Sequence, residues 1–123
     1  MVGVLTWVGA AVLGALGALA RFHVDAAVSA RLATRFPLGT FVVNLSGSFA
    51  LGVLVGLEPG DDVLFVLGTG FTGGYTTFST WMVESARLGE TGELPALVAN
   101  LGLSMLLGLG IAAAGFHVGQ AIA

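Results

Sequence analysis

The middle of the third apolar segment reads Gly68-Thr69-Gly70-Phe71-Thr72-Gly73-Gly74-Tyr75-Thr76-Thr77-Phe78-Ser79-Thr80-Trp81. It holds four glycines and five threonines. The paired glycines Gly73 and Gly74 weaken a helix and the β-branched threonines offer side-chain oxygens, so we expect an unwound stretch near the middle of a membrane crossing. Backbone groups that leave a helix at that depth must be satisfied by protein, water or an ion. The stretch is therefore a candidate ion site, and the alternative is an unbroken, flexible helix packed against a neighbour.

The composition of the whole chain is that of a membrane protein. Hydrophobic residues make up 56% of its 123 residues and charged residues 9%, whereas soluble domains carry about 25% charged residues. The four basic residues are scattered arginines and the net charge is −3, which excludes the basic surface that binds nucleic acid. Because the chain has no cysteine, disulfides, thiol chemistry and metal sites with sulfur ligands are excluded.

Polar breaks divide the chain into four apolar segments, each with the roughly 20 residues that a helix needs to cross a bilayer. Their approximate bounds are 3–30, 39–57, 63–86 and 95–121. We therefore expect an all-α integral membrane fold, a single four-span domain over residues 1–123 whose third helix is broken near its middle.

Two features of the spans allow more than one interpretation. Ala18-Leu19-Ala20 resembles a signal-peptide cleavage site, but no Lys or Arg precedes it to form a basic leader, so we favour a membrane span. The glycines in 52–56 and 115–119 suit close helix packing in lipid. Their spacing is common in membrane helices and says nothing about function.

The arginines of the loops indicate an orientation. Arg31 and Arg35 lie in the first loop and Arg87 in the third, on the same side of the membrane, whereas the second loop carries only acidic residues. Since Lys and Arg in short loops stay in the cytoplasm, this pattern places both termini outside.

Polar side chains inside the spans recur at helical spacing. Thr40, Asn44 and Ser48 share one face of the second span, and Asn100 and Ser104 share one face of the fourth. A hydroxyl in a helix often bonds only to its own backbone. The amide of Asn44 needs partners for both donors and its acceptor, so it is expected to bridge helices or to face a pore.

The sequence resembles the CrcB/Fluc family of fluoride channels. Gly73-Gly74-Tyr75-Thr76-Thr77-Phe78-Ser79-Thr80, followed by Glu84, is similar to the family signature G-G-x-T-T-F-S-T…E. Further similar motifs are Gly17-Ala18-Leu19-Ala20-Arg21-Phe22, Gly39-Thr40 and Val43-Asn44-Leu45-Ser46-Gly47-Ser48-Phe49. Together they cover nearly the whole chain in the family's order.

The resemblance implies a function, an assembly and a cofactor. The chain would be a multi-pass protein of the cell membrane that passively exports fluoride, paired with a second subunit in an antiparallel, dual-topology dimer. The dimer would hold two fluoride pathways and a structural Na⁺ at its centre. The pathway residues implied are Asn44, Thr77, Phe78, Ser79, Trp81, Asn100 and Ser104, with Arg21 at the mouth of the vestibule and the carbonyls of Gly73 and Thr76 on the Na⁺.

Two positions depart from the family pattern. Trp81 stands where a second phenylalanine is usual, and Gly108 replaces a hydroxyl of the fourth helix. Trp is larger than Phe and adds an N–H donor. One of the two pathways could therefore be narrowed or no longer conduct. The arginine bias suits a heterodimer of fixed orientations, the departures suit a non-conducting partner, and a dual-orientation homodimer stays open as well.

Other classes of function fit the residues less well. Small four-span multidrug exporters also form antiparallel dimers, but they use a membrane-embedded carboxylate, and the one candidate here, Glu84, lies near a helix end where it can reach water or pair with Arg87. His23, Asp25 and His117 form no catalytic grouping, and the glycine-rich stretch lacks the Lys of a phosphate loop. We therefore expect no enzyme activity.

Overall fold

The computed structural model describes residues 3–32 and 36–123, and this part of the chain is helical with no β-strand. Arg35, one of the three arginines used to orient the chain, lies outside the described residues. Four of the helical elements are α1 (Val4–Arg31), α2 (Leu38–Leu57), α4 (Ser79–Glu90) and α5 (Leu94–Ile122). Between α2 and α4 lies α3, a helical rod over residues 61–75 made of Asp61–Val63, the π-helix Leu64–Thr72 and the turn Gly73–Tyr75.

Three helices are long and apolar enough to cross a membrane, namely α1, α2 and α5. Their bounds match the first, second and fourth predicted spans within one or two residues. The predicted third span, 63–86, is divided into α3 and α4, and neither part has the length of a membrane-spanning helix by itself. The chain is a multi-pass membrane protein by this criterion, with a break at residues 76–78 in the segment that the sequence singled out.

The break lies on the C-terminal side of the paired glycines. Gly73 and Gly74 lie in a helical turn, and the backbone leaves the helix only at Thr76, whose φ is −78° and ψ 160°. Gly74 has a packing role, since a Cβ there would overlap the backbone carbonyl of Gly14 on α1. The paired glycines bring two helices together, and the unwinding begins just after them.

Close contacts between glycines and backbone fasten the helices in two pairs. On α2, Cβ atoms at Gly52 and Gly56 would overlap carbonyl groups of α5, and on α5 the same holds for Gly115 and Gly119 against α2. In the other pair, Gly17 of α1 lies directly against the backbone of α3. Such small residues let helix backbones approach where lipid gives no hydrophobic drive to association.

The apolar side chains face outward. Ala10, Val43 and Leu88 are the buried apolar residues of the described chain, whereas Leu5 is 86% exposed and Leu106 71%. A water-soluble protein of this size buries its large apolar residues. The exposed surface is therefore suited to lipid and to a further protein subunit.

Candidate functional site

The break in the third span is held by one side chain of α2. Asn44 Nδ2 donates a hydrogen bond to the carbonyl oxygen of Thr77 at 2.9 Å, and Asn44 Oδ1 accepts one from the Thr77 N–H at 2.8 Å. The amide thus pairs with the peptide groups of Thr77 much as a neighbouring backbone would. Asn44 bridges two helices, one of its two predicted roles, and its second amide N–H remains for another acceptor.

A second main-chain N–H at the break bonds a side chain in place of a helical carbonyl. The Thr80 N–H donates to Thr77 Oγ1 at 3.2 Å, and the hydroxyls of Thr77 and Ser79 lie 3.4 Å apart. In an unbroken helix the N–H groups of residues 77 and 80 would bond the carbonyls of Gly73 and Thr76. Those two carbonyl oxygens therefore lose their usual helical donors, and they are the pair that the resemblance assigns to Na⁺.

A groove of about 410 Å³ runs beside the break. Its walls come from α2, from the broken segment and from α5. Of the residues singled out in the sequence it contains Asn44, Gly73, Thr76, Thr77, Phe78, Trp81 and Ser104. The groove therefore gathers most of the predicted pathway residues although they are distant along the chain.

Two aromatic rings stand together in the groove. Phe78 is 70% exposed, and its ring meets the Trp81 ring edge to face, with centroids 5.8 Å apart and planes at 79°. The rim of an aromatic ring carries partial positive charge. An anion can therefore meet a favourable electrostatic surface here without a formal positive charge nearby.

The groove is also lined by two serine hydroxyls and by a glycine that leaves space for a further side chain. Ser48 and Ser104 line the groove, and so does Gly108. A Cβ on Gly108 would lie 3.9 Å from Ser48 Oγ, so this wall has room for one more small polar group. The sequence placed Ser48 on the polar face of α2 without assigning it a role, and the structure adds it to the groove.

Asn100 is positioned differently from Ser104. It is fully buried, at 0% exposure, and lies outside the residues that line the groove. Its side-chain amide donates to Ser85 Oγ at 2.9 Å, and its main-chain carbonyl accepts the Trp81 indole N–H at 3.0 Å. The sequence gives no reason to single out Ser85, because an isolated serine in a helical segment is common and has no motif around it.

Arg21 lines a second cavity of about 240 Å³ together with Asp25, Thr40 and Thr80. Thr77 lines both this cavity and the groove, so the break separates the two spaces. Thr40 is only 2% exposed, and its hydroxyl lies beside the Glu84 carboxyl. Polar groups thus continue from the arginine to the break.

Glu84 lies away from the groove. It lines a third cavity with Ser29 and Arg87, and its carboxyl also lies beside Thr40, which lines the cavity of Arg21. The carboxylate is not among the groups that face the aromatic pair.

Comparison with known proteins agrees with this arrangement. The family model described as "CrcB-like protein, Camphor Resistance (CrcB)" matches residues 8–116, which includes both walls of the groove and the break. The chain belongs to the CrcB family.

Relatives within the CrcB family are similar along almost their whole length. A protein of Mycolicibacterium paratuberculosis named fluoride-specific ion channel FluC 2 is 50% identical over 99% of this chain and 100% of its own length. FluC 2 of Mycobacterium bovis is 45% identical over 95% of this chain and 93% of its own length. FluC 1 of Geobacillus kaustophilus is 43% identical over 89% of this chain and 94% of its own length. These CrcB relatives are named as channels, and the chain is accordingly not an enzyme.

Proposed function

We propose that this chain is one subunit of a fluoride-selective channel of the cell membrane, which lets F⁻ leave the cytoplasm passively. The observation that carries the proposal is the groove beside the broken span, which is lined by an aromatic pair and by neutral hydrogen-bond donors. The names of the CrcB relatives support the choice of anion.

The groove has the chemistry that a small, strongly hydrated anion requires. The free N–H of Asn44 and the hydroxyls of Ser48 and Ser104 can donate to fluoride, and the ring edge of Phe78 can replace part of its water shell. None of these groups is cationic. An anion is therefore bound weakly enough to leave again, as conduction demands.

Passive export follows from the membrane potential. Neutral HF crosses lipid and dissociates in the cytoplasm, which traps the ion inside. A negative-inside potential drives an anion outward with about 2.3 kcal/mol per 100 mV. The proposed channel therefore needs no coupling to protons or ATP.

The second subunit of the proposed antiparallel dimer would close the groove. Phe78 is 70% exposed in the single chain, which is unfavourable for a pathway wall unless another surface covers it. Two such subunits would form two pathways. Relatives numbered FluC 1 and FluC 2 support a heterodimer of fixed orientations, as does the arginine bias, and a homodimer of dual topology is the alternative that reconstitution decides.

A structural Na⁺ at the dimer centre fits the atoms of the break. The carbonyl oxygens of Gly73 and Thr76 lack their usual helical donors because the relevant N–H groups bond Asn44 and Thr77. Gly73 is exposed, so its carbonyl can be shared with a second subunit. Such hard oxygen ligands suit an alkali ion, which would neutralise the exposed carbonyl dipoles and stabilise the interface.

Two rival functions make different predictions. A proton-coupled exporter needs its carboxylate on the transport path, whereas Glu84 is not among the residues that line the groove beside the break. A non-conducting subunit is favoured by Trp81 and Gly108, which leave the groove with a larger ring and one hydroxyl fewer than the family pattern.

Fluoride efflux from liposomes tests the proposal directly. The chain is reconstituted alone and together with an oppositely oriented relative, and F⁻ release is followed with an electrode, with Cl⁻ as the competing anion. Selective efflux from the chain alone supports a conducting homodimer, and efflux only with the relative supports a heterodimer. Failure of both preparations, with folded protein in the membrane, would exclude the channel function.

A further inference from the structure

Trp81 is the largest side chain of the groove, and its indole belongs to a closed circuit of three hydrogen bonds. Its Nε1–H donates to the main-chain oxygen of Asn100 at 3.0 Å. The Asn100 side-chain amide donates to Ser85 Oγ at 2.9 Å. Ser85 Oγ donates in turn to the main-chain oxygen of Trp81 at 2.8 Å. The circuit joins α4 to α5 and returns to the residue from which it begins.

The circuit is removed from the groove. Asn100 is 0% exposed and Ser85 5%, and the set of groove-lining residues contains Trp81 but neither of these two. Buried hydrogen bonds in a connected network reinforce one another, and the one polar atom of this circuit without a partner among the described residues is Asn100 Oδ1. The indole N–H is consumed by the backbone of α5, so the added donor of Trp, relative to Phe, does not face the groove.

We propose that Ser85 and Asn100 are positioning residues, whose side-chain hydrogen bond keeps α5 against α4 so that the main-chain oxygen of Asn100 stays within reach of the Trp81 indole N–H and fixes the ring in the groove wall. The inference rests on the proposed channel function and deepens it. In this arrangement Trp81 replaces the phenylalanine of the family pattern without closing the groove. Its N–H donor is also kept away from the anion, which it would otherwise bind tightly.

The indole bonds the main-chain oxygen of Asn100, so loss of the Ser85–Asn100 side-chain bond acts on the ring by loosening the contact between α4 and α5. Loss of a typical hydrogen bond changes the population of one side-chain orientation roughly fivefold. An indole that is free to rotate beside Phe78 would partly fill the groove. We therefore expect Ser85→Ala to lower fluoride efflux about fivefold. Ser85→Thr keeps the hydroxyl and should restore most of the efflux.

Tryptophan fluorescence reports the ring independently of ion flow. The chain has two tryptophans, so Trp7→Phe leaves Trp81 as the single emitter. In that background Ser85→Ala and Asn100→Leu should shift the emission to longer wavelength and lower its anisotropy. Ser29→Ala removes a hydroxyl that donates to Asp25 on α1 and should change neither quantity.

A double-mutant comparison separates positioning from general stability. With Trp81→Phe in place there is no indole N–H to hold, so adding Ser85→Ala should leave the efflux of Trp81→Phe unchanged. An equal loss of efflux in both backgrounds would overturn the proposal, as would unaltered fluorescence in both Ser85→Ala and Asn100→Leu. If parent and Trp81→Phe proteins both fail to conduct with a partner present, the proposed function is refuted, and the fluorescence comparison still decides the positioning role.

Discussion

Replacement of Asn44 by leucine removes the amide that holds the break in the third span. Two hydrogen bonds, of 2.9 and 2.8 Å, join this side chain to the backbone of Thr77. Neutral hydrogen bonds contribute about 1 kcal/mol each, and in membrane proteins about 0.6 kcal/mol on average. Thr77 is only 9% exposed, so its abandoned N–H and C=O gain little from water, and we expect a total loss of about 2–4 kcal/mol.

Asn44→Asp is the matched control for this change. Burial in the membrane favours the neutral carboxyl, which has an acceptor for the Thr77 N–H and an O–H that can donate to the Thr77 carbonyl. The free energy of unfolding, measured by SDS titration in mixed micelles, should therefore fall less than in Asn44→Leu. Hydrogen exchange at the Thr77 amide should accelerate strongly in the leucine variant and weakly in the aspartate variant, and fluoride efflux should be lost in the leucine variant.

The reasoning fails if Asn44→Leu unfolds with the same free energy as the parent and its Thr77 amide stays protected. Such a result would mean that water or another residue satisfies the break in the membrane. Loss of efflux with unchanged stability and exchange would instead make Asn44 a pathway donor without a bridging role.

Three further substitutions test separate parts of the molecule. Phe78→Ile should suppress fluoride efflux and leave assembly intact, as judged by cross-linking, because it removes the ring edge from the groove; unchanged efflux would remove this ring from the pathway. Gly115→Ala should destabilise the protein by about 1–3 kcal/mol, because its Cβ would overlap a carbonyl of α2. The control is Gly110→Ala on the same helix, whose Cβ would meet nothing within 4 Å. In the same SDS titration this control should leave the free energy of unfolding unchanged. Gly108→Ser should raise efflux because it adds a hydroxyl opposite Ser48, and equal rates in paired liposome assays would show that this wall does not limit conduction.

The sequence predicts the broken span but not the residue at which the backbone leaves the helix. Glycine and threonine content located the disruption within a few residues, because intrinsic helix propensity is a local property. The exact site depends on Asn44, which lies 33 positions earlier and captures the Thr77 peptide groups. That contact exists only after α2 has packed beside the broken segment, so local propensity cannot reveal it.

The two intramembrane asparagines show a similar limit. Asn44 and Asn100 both lie four residues from a serine on a helical face, and periodicity treats them alike. In the structure Ser104 reaches the groove, whereas Asn100 meets α4 and is buried against Ser85. Which neighbour covers a helix face at a given height is a property of tertiary packing, and spacing alone does not contain it.

The capture of Thr77 by Asn44 has a mechanical consequence. A segment pinned through both its N–H and its C=O cannot re-form helix unless α2 releases it, so the break is a fixed joint with no freedom to act as a hinge. In the proposed channel, the broken span therefore does not act as a gate. The pathway stays open, and control over which ions cross rests on selectivity among anions.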